Sequence, residues 1–157
     1  MAVPGRWPQV GEYLLERTGY DYPVLSRLHR GRAIRALATA LRDNTDPSVS
    51  ALGLRTKSLA GIVYATIAED ARLLRAGELL AERAGVTTGQ RAGAVDGLDA
   101  ATVIAKELAL AASSSPSQIT PEIISRSTHE LTPAAIVELI VWIALLQTVH
   151  RLHAFYP

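Results

Sequence analysis

Two short stretches carry the residues whose types and spacing best suit proton transfer. Glu69-Asp70-Ala71-Arg72-Leu73-Leu74-Arg75 sets two carboxylates beside two arginines. His150 and His153 stand three residues apart near the C-terminus, on one helical face shared with Gln147. Glu69 and Arg72, also three apart, read in one of two ways. They form an exposed ion pair of about 0.2–0.5 kcal/mol, or the stretch holds a buried carboxylate of raised pKa that an arginine steadies for general acid or base work. On a continuous helix Glu69 and Asp70 point about 100° apart, so both cannot line one narrow cleft unless the helix breaks. Burial at Asp70 is expected to favour its neutral form and suit it to proton transfer near neutral pH. Arg72 or Arg75 would then hold a substrate carboxylate or enolate. Tyr64, about two turns before Arg72, could line the same mouth.

The histidines read as a proton shuttle, with His150 the second candidate for proton transfer, or as a subunit contact or a hydrogen bond to a carbonyl. Two histidines at this spacing can touch one metal, but no third ligand is identifiable, so no metal is expected. Gly77 costs a helix interior about 1 kcal/mol against Ala. It leaves either a close helix crossing or room for a ligand. No phosphate-binding loop, dinucleotide fingerprint or Ser-His-Asp arrangement is present, so no cofactor is expected.

Composition narrows the classes. The 157 residues carry 16 basic and 15 acidic side chains, a formal charge of +1, which argues against a nucleic-acid footprint. There is no cysteine, hence no disulfide, no thiolate chemistry and no Cys-ligated zinc. MAVPGRWPQV lacks the apolar centre of a signal peptide, so a cytoplasmic location is expected. The length suits one domain, 1–157, with residues 1–9 as an N-terminal arm.

The elements that must position these residues read as helices throughout. A short helix is expected over Val10 to Arg17, and Pro23 opens another to about Leu41, with Arg27, Arg30, Arg32, Arg35 and Arg42 forming a solvated face or an anion or subunit contact. From Leu54 thirty residues keep helical spacing. That is long for one globular helix and predicts a break near Glu69–Arg72, with Gly85 as the stop. Thr87 to Gly93 is a short helix or turn, and Asp99 caps Ala100 to Ala112. Thr120-Pro121 opens a helix to about Ser127, after which Ser127 to Glu130 turns. Thr132-Pro133 opens the last helix, to about Phe155, apolar on nearly every face. Glu138 and Gln147 interrupt it short of the roughly 20 apolar residues of a membrane span, so it is expected to be the central helix of an oligomeric all-α protein, with no membrane partner.

Leu131-Thr132-Pro133-Ala134-Ala135-Ile136-Val137-Glu138-Leu139, followed by Leu145-Leu146-Gln147-Thr148-Val149-His150-Arg151-Leu152, resembles the carboxymuconolactone decarboxylase and alkylhydroperoxidase (AhpD-like) superfamily. Ala76 to Val86 looks like the helix that follows that family's active-site motif. The resemblance runs from about Leu54 to Phe155. It implies an AhpD-like helical bundle of six to eight helices, assembled as a homotrimer or homohexamer. The peroxidase branch carries Cys-x-x-Cys, a histidine and an upstream glutamate. Here Asp70 and Leu73 fall at the cysteine positions, Gly77 at the histidine, and Lys57 or Ser58 near the glutamate, so the thiol relay is absent.

The resemblance therefore implies fold and assembly without the family's chemistry. It also places Asp70 where the fold points a side chain at the pocket. The resulting expectation is a cofactor-free, non-redox lyase, isomerase or cyclase acting on a small organic acid or polyketide-like molecule. Asp70, His150 and Glu69 are its candidate catalytic groups, and Arg72, Arg75, Tyr64 and Gly77 form a mostly apolar pocket around Glu69–Gly77. The alternatives are a non-catalytic small-molecule binder or scaffold and, last, a cysteine-independent peroxidase.

Overall fold

A computed structural model describes residues 7–20, 22–27 and 31–156. Among them there are nine helices and no strand: α1 Trp7–Thr18, α2 Pro23–Arg27, α3 Arg32–Asn44, α4 Leu54–Ile67, α5 Ala71–Arg83, α6 Thr88–Arg91, α7 Ala100–Ser113, α8 Pro121–Glu130 and α9 Pro133–Phe155. That is one more than the six to eight expected. The helix read as continuous from Pro23 ends at Arg27, and Gly31, at φ 138°, stands outside the next one. The first helix starts at Trp7, inside the expected arm, and residues 1–6 lie outside the description. Ser127 to Glu130 is not a turn; α8 continues through Glu130.

The expected starts hold where a side chain can satisfy free N–H groups. The Asp99 carboxylate accepts from Thr102 N–H, the Thr120 hydroxyl from Ile123 N–H and the Thr132 hydroxyl from Ala135 N–H, each with its helix beginning at the next residue. Thr87 and Gln90 cap α6 reciprocally.

The central helix is α4, a correction to the expectation for α9. Residues Thr56 to Ile62, with Tyr64 and Ala65, are buried, and α5, α7 and α9 pack around it. Gly77 allows α4 and α5 to approach closely: a Cβ on it would stand 3.0 Å from Ile62 Cγ1 and 3.4 Å from the Ile62 backbone nitrogen, whereas a Cβ on Gly61 would meet Leu146 and Trp142 of α9. The buried face of α9 carries Leu139, Trp142, Ile143, Leu146 and Val149, while Val137, Ile140 and Val141 are 63, 40 and 42 % exposed. Contrary to the sequence reading, α9 is long and apolar enough to cross a membrane by length and composition. Its inward face carries ionisable groups paired inside the protein, Glu138 with Lys57 and His150 and His153 with Asp70.

One such pair clips the 44–52 loop to the core. The Lys57 ammonium is fully buried and donates to Glu138 Oε1, to Ser50 Oγ at 2.7 Å and to the Asn44 carbonyl. Glu138 also accepts from the Ala51 and Leu52 N–H groups, and the Trp142 indole donates to the Lys57 carbonyl at 2.9 Å. Burial lowers the Lys57 pKa despite its partner. Burial also works against the Glu138 carboxylate, but bonds from Lys57, Ser50 and Ala51 outweigh it and hold its pKa below the ordinary value. The two directions agree physically, because the ammonium is wholly enclosed and the carboxylate retains some solvent.

Candidate active site

The break between α4 and α5 builds the site. The chain leaves α4 through Glu69, which adopts φ 53°, the left-handed conformation usual for a glycine just past a helix end. Asp70 N–H returns to the Ala65 carbonyl at 3.0 Å. This turn separates the neighbouring carboxylates: Glu69 is exposed and Asp70 is buried. Glu69 thus lies outside the acid–base cluster proposed from the sequence.

Asp70 caps α5. Its Oδ1 accepts from Arg72 N–H and Leu73 N–H, both at 3.1 Å. Its Oδ2 meets two imidazoles from the far end of the chain, His150 Nδ1 at 2.9 Å and His153 Nδ1 at 2.8 Å. The spacing of the two histidines lets both reach one oxygen from one face of α9. Four hydrogen bonds occupy the carboxylate, about its full acceptor capacity.

The electrostatic outcome reverses the expectation of a neutral acid. Burial, the largest single effect, pushes the Asp70 pKa up. Hydrogen bonds from His153, His150 and Leu73 N–H, with the charge of His153, together outweigh it and hold the carboxyl below its ordinary range. Asp70 is therefore an anion at neutral pH and accepts from both Nδ1–H groups. An imidazole held this way in its neutral form carries its lone pair on Nε2. The His150 side chain is 37 % exposed, whereas His153 is buried, with an Nε2 that meets no partner. Of the two, His150 is placed to meet a solute.

Tyr64, on α4, stands edge-on to His150 with ring centroids 6.4 Å apart. Burial raises its phenol pKa, the Asp70 charge raises it further, and Arg151 opposes both. The structure thus brings together Asp70, His150 and Tyr64 and adds His153, which sequence reasoning noted for its spacing but did not place in the site.

The remaining expected residues lie elsewhere. The Arg72 guanidinium reaches the Tyr156 carbonyl at 3.4 Å, and Arg75 pairs with Glu78 at 3.7 Å on the exposed side of α5. Gly77 sits in the α4–α5 crossing, where Ile62 fills the space a ligand was expected to use. A largely apolar cavity of about 380 Å³ does exist, but between α4, α6 and α7, and none of the expected site residues lines it. That cavity is therefore not the pocket expected around Glu69–Gly77. Among the described residues no group of three or more His, Asp or Glu side chains is arranged to hold a metal ion.

No protein-family model matches the chain, and no curated protein matches it in sequence. Two solved structures share its fold. The apo debrominase Bmp8 superposes with a TM-score of 0.80 at 15 % identity, covering 95 % of this chain and 82 % of Bmp8. A Cys-to-Ala variant of the debrominase Bmp8 in complex with 2,3,4-tribromopyrrole gives 0.79 at 15 % identity, covering 94 % and 81 %. At that identity the likeness establishes the all-helical fold.

Proposed function

We propose that this chain is a divergent, cysteine-free relative of the carboxymuconolactone decarboxylase and AhpD-like proteins that performs cofactor-free, non-redox chemistry on a small organic acid. His150 is its general base and acid, and Asp70 orients it. The observation that carries the reading is the 2.9 Å contact between His150 Nδ1 and the buried Oδ2 of Asp70. An ionised carboxylate on Nδ1–H fixes the tautomer, directs the Nε2 lone pair away from Asp70 and stabilises the imidazolium formed on proton uptake. His150 would take a proton from a carbon acid or hydroxyl and return it elsewhere on the product, as a lyase, isomerase or cyclase requires. The Tyr64 hydroxyl, on a ring edge-on to His150, would donate a hydrogen bond to the developing enolate.

The structural neighbour was crystallised with a small ring compound, and this favours a small cyclic substrate here. A chain without cysteine has no thiolate, so a step needing one is closed to it. Assembly as a homotrimer or homohexamer in the cytoplasm belongs to the same reading. Its support is the exposed stripe Val137, Val141, Ala144 and Thr148 of α9, spaced three or four apart as in a helix that packs on another helix.

The test is deuterium wash-in from D2O, followed by proton NMR, on a panel of enolisable ring lactones and cyclic acids. Exchange catalysed by the wild type and abolished by His150→Ala supports the reading. Binding without exchange across the panel favours the small-molecule binder.

A further inference from the structure

The cavity between α4, α6 and α7 is unconnected with the histidine site. Leu59, Ile62, Val63, Thr66 and Ile67 of α4 form one wall, and Ile62 and Thr66, two residues either side of Tyr64, point about 160° away from it around the helix. Neither Asp70, His150 nor His153 lines it. Its volume of about 380 Å³ lies at the lower end of the roughly 300–1,000 Å³ usual for small-molecule sites.

Three charged side chains border this apolar space, and their pairing leaves an imbalance. Glu107 is neutralised by Arg126 at 2.6 Å, and Arg91 pairs with Glu82 at 2.5 Å. Lys106 forms no hydrogen bond or ion pair among the described residues. Arg91 Nε, though enclosed, has no acceptor. An apolar slot edged by one uncompensated ammonium and one orphaned guanidinium N–H suits a ligand with an apolar body and a single negative charge. The body is driven in by burial, and a carboxylate at the rim would pair with the Lys106 ammonium.

We propose that this cavity is a second ligand site, binding an apolar organic carboxylate with Lys106 as the charge anchor. The probes are 2-naphthoate and its neutral isostere 2-naphthamide, titrated into full-length protein by calorimetry and by amide chemical-shift mapping. Expected is one naphthoate per chain with a Kd below about 1 mM, with shifts on α4, α6 and α7. The naphthamide should bind about tenfold more weakly. Lys106→Met should weaken naphthoate about tenfold and leave naphthamide unchanged. Leu110→Trp, at a rim position 52 % exposed and so tolerant of change, should block both probes. His150→Ala should alter neither, so this site and the proposed catalytic site fail or stand separately. Equal affinity for the two probes, shifts centred on Tyr64 and His150, or no saturable binding would each overturn the proposal. So would an unliganded oligomer in which α4, α6 and α7 are the protected surface.

Discussion

Replacing Asp70 by Asn tests the site most directly, because it keeps the side chain's shape while removing its negative charge and reversing one atom's hydrogen-bonding sense. The amide oxygen can stay on Arg72 N–H and Leu73 N–H, so the α5 cap survives. The amide NH2 then faces two Nδ1 atoms that donated to a carboxylate oxygen at 2.9 and 2.8 Å. Donor against donor is repulsive, so each imidazole moves its proton to Nε2. For His150 this removes the lone pair the reaction needs, a change worth on the order of 10⁴ in rate where a carboxylate orients a catalytic histidine. For His153 it exchanges a buried, unpartnered lone pair for an unpartnered N–H and replaces the charge-assisted bond to Asp70 by a neutral one, at a cost of about 1–3 kcal/mol. The expected variant is folded, about 1–3 kcal/mol less stable by urea unfolding, and inactive in deuterium exchange. Long-range nitrogen–proton correlation spectra should show its imidazoles protonated at Nε2. Imidazoles still protonated at Nδ1 with unchanged exchange rates would refute both the tautomer argument and the role given to His150.

Four further outcomes follow from the same geometry. Because the Asp70 pKa is lowered from 3.8, the folded state takes up that proton less readily than the unfolded chain. The stabilisation is complete above about pH 4 and is lost as pH falls through the folded pKa; acid unfolding of Asp70→Asn should lack that component of the slope. Lys57→Ala leaves Glu138 without its cation and should cost about 3–5 kcal/mol by denaturant titration, and a loss under 1 kcal/mol would show that the clip carries little. Gly77→Ala gains about 1 kcal/mol of helix propensity but forces Ile62 and its backbone apart from α5 at a cost of about 1–3 kcal/mol. A net loss in thermal unfolding is expected, and a gain would mean that the crossing is looser than its distances indicate. Val137→Glu combined with Val141→Glu should reduce the mass measured by light scattering from that of an oligomer to that of one chain, and a wild-type monomer would remove the assembly proposal.

The helices were legible in the sequence because their signals are local. Thr132-Pro133, Thr120-Pro121 and Asp99 each supply a cap within three residues of the N–H they satisfy, and the thirty residues from Leu54 are too long for one helix without a break. The same locality made Asp70 and the spacing of His150 and His153 visible as candidates. Whether they meet depended on packing between residues eighty apart: α9 crosses the α4–α5 break and brings both Nδ1 atoms to one oxygen. Only that convergence fixed the charge of Asp70, since burial alone predicted a neutral acid, and the bonds from His153, His150 and Leu73 N–H with the charge of His153 hold it as an anion. The φ of Glu69, which sets adjacent carboxylates in different environments, also came from tertiary structure, as a propensity for αL is weak in glutamate. The use of Gly77 was decided by Ile62 on another helix, and the position of the cavity by how α6 and α7 meet α4, distances that no spacing along the chain records.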